Sequence, residues 1–116
     1  MSENTSTINE ILTAVVSFYS NKYGDLLEQV WLFGSKARGE DTPHSDVDIM
    51  VVLHDSVKIE KIPGNNPEKF ELAMDILTRY NELISPMEYP LADFKSNRIP
   101  LHRNVKQEGV LFYEKQ

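Results

Sequence analysis

Cysteine is absent from the 116-residue chain, which excludes disulfides, thiolate metal sites and a cysteine nucleophile. Histidine is scarce. His44, His54 and His102 are scattered without the spacing of a paired ligand set, so a metal held here would be held mainly by oxygen. Long apolar runs are missing as well. The longest near the N-terminus, Ile11 to Tyr19, is too short to cross a bilayer and follows no basic leader, so neither anchor nor export signal is expected. The expectation is therefore a cytoplasmic protein with no membrane partner. Basic residues are outnumbered by acidic ones, twelve to eighteen, for a net charge of −6, which argues against broad affinity for nucleic acid.

The length allows one domain, residues 1–116, burying about two-thirds of the surface exposed by the unfolded chain. Charge is uneven along it. Residues 95–116 carry Lys95, Arg98, Arg103, Lys106 and Lys115 against Glu108 and Glu114, net +3, leaving −9 on the rest. Such a segment reads either as a solvated face or as an electropositive rim beside phosphate or an acidic partner.

Thr7-Ile8-Asn9-Glu10 fits a capping box, and Ile8, Ile11, Leu12, Val15, Val16 and Tyr19 recur at helical spacing, predicting a helix over 7–23. Gly24-Asp25 breaks it, and residues 29–33 read as a short strand. From Asp46 to Leu53 the chain alternates Asp46, Asp48, Met50, Val52 with Val47, Ile49, Val51, Leu53. Both faces turn apolar after Asp48, as in a central strand covered on both sides. Pro63-Gly64-Asn65 marks a loop. Asn66-Pro67 opens a second helix with the stripe Phe70, Ala73, Met74, Leu77, Tyr80 and Ile84, ended by Ser85-Pro86. A strand beginning near Met87, a helix over 100–108 and a strand over 110–113 complete the order. The expected class is α/β (α+β), a small mixed sheet covered by helices.

The chemistry lies in Trp31-Leu-Phe-Gly-Ser-Lys-Ala-Arg-Gly39 and Ser45-Asp-Val-Asp48, a G-S-x10-D-x-D pattern. Gly34 lets backbone approach a ligand. Ser35 stands where a strand yields to a helix and could cap it. A helix N-terminus with free N–H groups, a Ser hydroxyl and a nearby Lys36 or Arg38 suits a phosphate tail. Asp46 and Asp48, two apart on a strand, would project to one side with Cα atoms about 6.6 Å apart, close enough to share a cation or bracket two. Two such carboxylates repel each other, and a divalent cation removes that penalty. Arg38 either reaches phosphate or pairs with a structural carboxylate. Lys36 and loop His44 read as polar surface, and Trp31 and Phe33 as core.

Gly34-Ser35, Ala37-Arg38-Gly39 and Ser45-Asp46-Val47-Asp48 together resemble the signature of the minimal nucleotidyltransferase (MNT) family of the DNA polymerase beta superfamily, the match covering residues 30–53. The resemblance implies a polymerase-beta-like nucleotidyltransferase fold and Mg²⁺-dependent transfer of a nucleoside monophosphate, read as AMP from ATP or another NTP, to a hydroxyl. It implies nucleotide binding by Gly34, Ser35 and Arg38, and catalysis and metal binding by Asp46 and Asp48 with a third carboxylate from a later strand. Glu88 is the position that could match the third acid, with Asp75 and Asp93 behind it. Many such proteins pair with a HEPN RNase toxin that they adenylylate as antitoxins. A chain this short leaves part of the substrate pocket to another chain, a second copy included. The rival reading is a non-catalytic protein of the same fold that neutralises its partner by covering it.

Overall fold

A computed structural model describes residues 2–39, 45–59 and 66–116, with side chains from residue 7 onward. The loop residues Pro63-Gly64-Asn65 and His44 lie outside the described residues. Helix α1 spans Ser2–Tyr23, starting well before Thr7 because no Gly or Pro stands in residues 2–6 to stop it. The capping box is therefore not the helix start. Its Glu10 instead accepts a hydrogen bond from the Tyr80 hydroxyl at 3.2 Å.

Gly24, at φ 56°, turns the chain out of α1 through a 3-10 turn, Gly24–Leu26, into β1 (Leu27–Phe33). The remaining elements are α2 (Ser35–Arg38), β2 (Val47–Leu53), α3 (Pro67–Tyr80), β3 (Ile84–Pro90), α4 (Leu91–Ser96), α5 (Pro100–Glu108) and β4 (Val110–Glu114). The strands form one mixed sheet in the order β3-β2-β1-β4. β1 runs antiparallel to β2 and β4, and β2 runs parallel to β3. The central placement of β2 follows from its two apolar faces.

Alternation along β2 separates two cores. Val47, Ile49, Val51 and Leu53 join Ile11, Leu12, Val15, Tyr19 and Ile76 under α1 and α3. Met50 and Val52 pack with Phe94 and Val105 of α4 and α5, and Trp31, Phe33 and Tyr89 close around them. Trp31 and Phe33, expected as core, are half-buried and pack against this second core. His102 is buried there too, its Nδ1 3.1 Å from the Asp93 carbonyl.

Two expectations are corrected. In α3 the face turned to the core carries Leu72, Ala73, Ile76 and Tyr80, while Phe70 and Met74 are 67% and 42% exposed. Apolar residues line both sides of this helix, and the spacing alone did not choose between them. Asn66 caps its start as expected, accepting from the Lys69 amide at 3.1 Å, but the helix ends at the left-handed Asn81. Ile84-Ser85-Pro86 belongs to β3 rather than to the helix terminus. Pro86 and Pro90 are tolerated because β3 is an edge strand, where a missing N–H can face outward.

Candidate active site

The antiparallel pairing of β1 with β2 places Phe33 beside Asp48. The turn that leaves β1 therefore meets the start of β2 although ten residues separate Ser35 from Asp46. Gly34 adopts φ 79°, ψ −159°, a region open essentially to glycine alone. A Cβ on Gly34 would fall 2.3 Å from Asp48 Oδ2, so the missing side chain is what admits the carboxylate. The Gly34 carbonyl accepts from the amides of Ala37 and Arg38 at 3.1 and 3.2 Å. Gly34 is thus the N-cap of α2, and Ser35, expected as the cap, is instead the first residue of the helix.

Asp46 is exposed just before β2, and Asp48 is half-buried as the second residue of the strand. Burial, then the charge of Asp46, raises the proton affinity of Asp48 above the usual carboxylate value, and the Arg38 guanidinium acts in the opposite direction. The structure accordingly brings Gly34, Ser35, Arg38, Asp46 and Asp48 to one end of the sheet. Arg38 also approaches Glu108 of α5 at 3.5 Å. A cavity of about 230 Å³ opens beside Gly34 and Arg38, walled by Phe33, Leu101, Asn104, Val105 and Glu108. A second hollow of about 380 Å³, lined by Ile8, Leu12, Lys36 and Phe112 among others, belongs to the α1 side of the sheet, and Asp48 is not among its lining residues.

Glu88 is not part of this constellation. Parallel pairing sets Asp48 beside Ser85 and Val51 beside Glu88, and partners across a parallel pair point to the same face. Glu88 thus shares the α1/α3 face with Val51, opposite to Asp48, and stands three residues, about 10 Å, farther along the sheet. Its side chain is 6% exposed. It accepts the Tyr19 hydroxyl at 2.6 Å and is paired with Lys69 Nζ at 3.0 Å. Burial and the Glu88 charge in turn hold the Tyr19 hydroxyl protonated far beyond the ordinary tyrosine range. Glu88 is a buried tie between α1, α3 and β3. Asp75 and Asp93 do not replace it: Asp75 pairs with Arg79 at 3.2 Å on the outer side of α3, and Asp93 lies 3.9 Å from Arg98.

Lys36, read from sequence as solvated, has a side chain only 6% exposed and pairs with Glu82 at 3.2 Å, fastening α2 to the connection between α3 and β3. Nothing in its local sequence signals this, because Glu82 is 46 residues away.

The family described as polymerase beta, nucleotidyltransferase matches residues 15–116. The chain belongs to the polymerase beta nucleotidyltransferase family. Within it, the chain is 30% identical over 99 residues to a Methanocaldococcus jannaschii protein named as a candidate protein adenylyltransferase, covering 84% of this chain and 90% of that one. Two solved structures share this nucleotidyltransferase fold. A chain of a toxin–antitoxin complex with AMP-PNP gives a TM-score of 0.59 at 20% identity, covering 90% of this chain and 73% of its own. A chain from the complex of tri-AMPylated Shewanella oneidensis HEPN toxin with its MNT antitoxin gives 0.56 at 18% identity, covering 95% and 71%. The likeness in fold thus reaches well beyond the motif, over 90% and 95% of this chain.

Proposed function

We propose that this nucleotidyltransferase moves AMP from ATP to a hydroxyl of a protein partner, as an antitoxin acting on a HEPN toxin. The observation that carries the reading is the meeting of Gly34 with Asp48, where backbone freed of a Cβ faces a carboxylate whose repulsion by Asp46 a cation would relieve. The relative named for protein adenylylation and the toxin-bound structural neighbours support the choice of acceptor.

The donor set fits Mg²⁺, a cation that takes oxygen ligands from one or two carboxylates and the substrate's phosphates. Asp46 and Asp48 would hold it, and bound there it neutralises phosphate charge. Gly34 and Ser35 carry the phosphate tail past the turn, and Arg38 adds a positive charge beside it. The acceptor oxygen bonds to the α-phosphorus, the bond from that phosphorus to the bridging oxygen breaks, and pyrophosphate leaves. The hydroxyl proton passes to solvent. Residues 1–116 act in this reading as one nucleotidyltransferase domain.

Co-expression with the HEPN partner tests it. Intact-mass measurement of the toxin should show increments of one AMP with the wild type and none with Asp46→Asn/Asp48→Asn. The alternative is a non-catalytic protein of the same fold that neutralises its partner by covering it. A toxin silenced equally by wild type and double variant, with no change in mass, would establish that alternative.

A further inference from the structure

The register of β3 against β2 has a chemical consequence for how many cations this site can carry. In-line displacement at phosphorus is commonly served by two cations about 3.5–4 Å apart, one on each side of the reacting oxygens. Beyond the nucleotide's own phosphate oxygens, two divalent ions need protein carboxylate on each side of the reacting phosphate, and among the described residues Asp46 and Asp48 supply it at the start of one strand. The natural place for a further carboxylate is the residue of the neighbouring strand beside Asp48, about 4.8 Å across the sheet and on the same face. That residue is Ser85. The next residue of β3 on this face is Met87, beside Met50. Glu88, the acid of this strand, is turned to the reverse face and held there by Tyr19 and Lys69. Glu108 reaches toward the site from α5 but is paired with Arg38.

We propose that this centre binds a single divalent cation, shared by Asp46, Asp48 and the nucleotide phosphates, and that Ser85 occupies the position whose carboxylate would be needed for a second. The inference rests on the nucleotide-binding reading above and deepens it. A neutral hydroxyl at Ser85 can donate a lone pair but no charge, and Mg²⁺-type ions surrender their water reluctantly without charge to replace it. The site therefore positions the nucleotide and neutralises its phosphates, while no group of β3 takes the acceptor's proton.

Counting bound Mn²⁺ tests the proposal. The full-length protein is saturated with α,β-methylene ATP, whose α-phosphorus cannot lose pyrophosphate, and titrated with Mn²⁺ while free ion is followed by electron paramagnetic resonance. Calorimetry on the same samples records nucleotide binding. One Mn²⁺ per chain is expected in the wild type, with the same count and affinity in Glu88→Gln. Asp48→Asn should weaken that ion at least tenfold. Ser85→Asp should bind two, with the line broadening of a close spin pair. Two ions in the wild type, or loss of an ion in Glu88→Gln, would overturn the proposal while leaving nucleotide binding intact. A folded Ser85→Asp protein that still holds one ion would overturn the role given to Ser85. Absence of both ion and nucleotide from the wild type would instead bring down the transferase reading, and this proposal with it. If Ser85→Asp fails to fold, the wild-type and Glu88→Gln counts decide the matter alone.

Discussion

At the scale of single residues, Gly34 and Asp48 form one device. Gly34→Ala should lose roughly 1–3 kcal/mol from the φ of 79° alone, with a further loss because the new Cβ meets Asp48 Oδ2. Thermal melts of Gly34→Ala, Asp48→Ala and the double variant separate the two parts. The double variant should be more stable than the sum of the singles requires, since removing the carboxylate removes the collision but not the backbone strain. Asp48 also lowers stability at neutral pH. Its proton affinity is higher in the folded chain than in the unfolded one, so the folded state binds more protons between the two values and stability falls as pH rises through that window. The deficit persists at neutral pH and disappears below the ordinary carboxylate range. Asp48→Asn should therefore melt above the wild type at pH 7 and together with it in strong acid. Added Mg²⁺ and ATP should raise the wild-type melting temperature and leave the variant unmoved.

At the scale of elements, the tie between α1, α3 and β3 depends on Tyr19 and Glu88. Tyr19→Phe removes a hydrogen bond to a charged group and should lower stability by about 1.5–3 kcal/mol, without loss of nucleotide binding, because Glu88 faces away from Asp48. Its pH dependence has a definite sign. The unfolded tyrosine ionises near pH 10, whereas burial and Glu88 keep the folded hydroxyl protonated well above that. The unfolded state then holds fewer protons, and wild-type stability falls as pH rises through that region, a slope that Tyr19→Phe should lack in alkaline denaturation. The same element shows what a sequence can and cannot disclose. The meeting of the two halves of G-S-x10-D-x-D was legible because neighbouring strands carry them, and the apolar alternation of 46–53 located the central strand. The face of Glu88 was not legible. It depends on which residue of β3 stands beside Asp48, a pairing between segments 37 residues apart, and the prolines at 86 and 90 obscured where that strand begins. The buried side of α3 was obscured for a different reason, since Phe70 and Met74 satisfy helical spacing as well as Leu72 and Ile76 do.

At the scale of the whole molecule, the basic segment 95–116 is less available than its net charge suggests. Arg98 approaches Asp93 and Lys115 approaches Glu28, each at 3.9 Å, while the Lys106 ammonium lies 4.6 Å over the Phe94 ring. Steering of a partner by this segment should accordingly be weak, and raising salt from about 0.05 to 0.5 M should change the association rate with the proposed toxin partner only modestly. No helix among the described residues is long and apolar enough to cross a membrane. The sheet order leaves β2 with a partner on each side and a helical layer on each face, and every residue of it except Asp48 is buried. Amide hydrogens from Ile49 to Leu53 should therefore exchange with deuterium only when the entire chain opens, at the slow limit set by global unfolding. Those of β4, whose residues are exposed or half-buried, should exchange through local fraying. Asp48 is thus mounted at the wet end of the strand expected to exchange most slowly, so its carboxylate can meet solvent while the backbone that follows it should keep time with the rarest fluctuation the molecule makes.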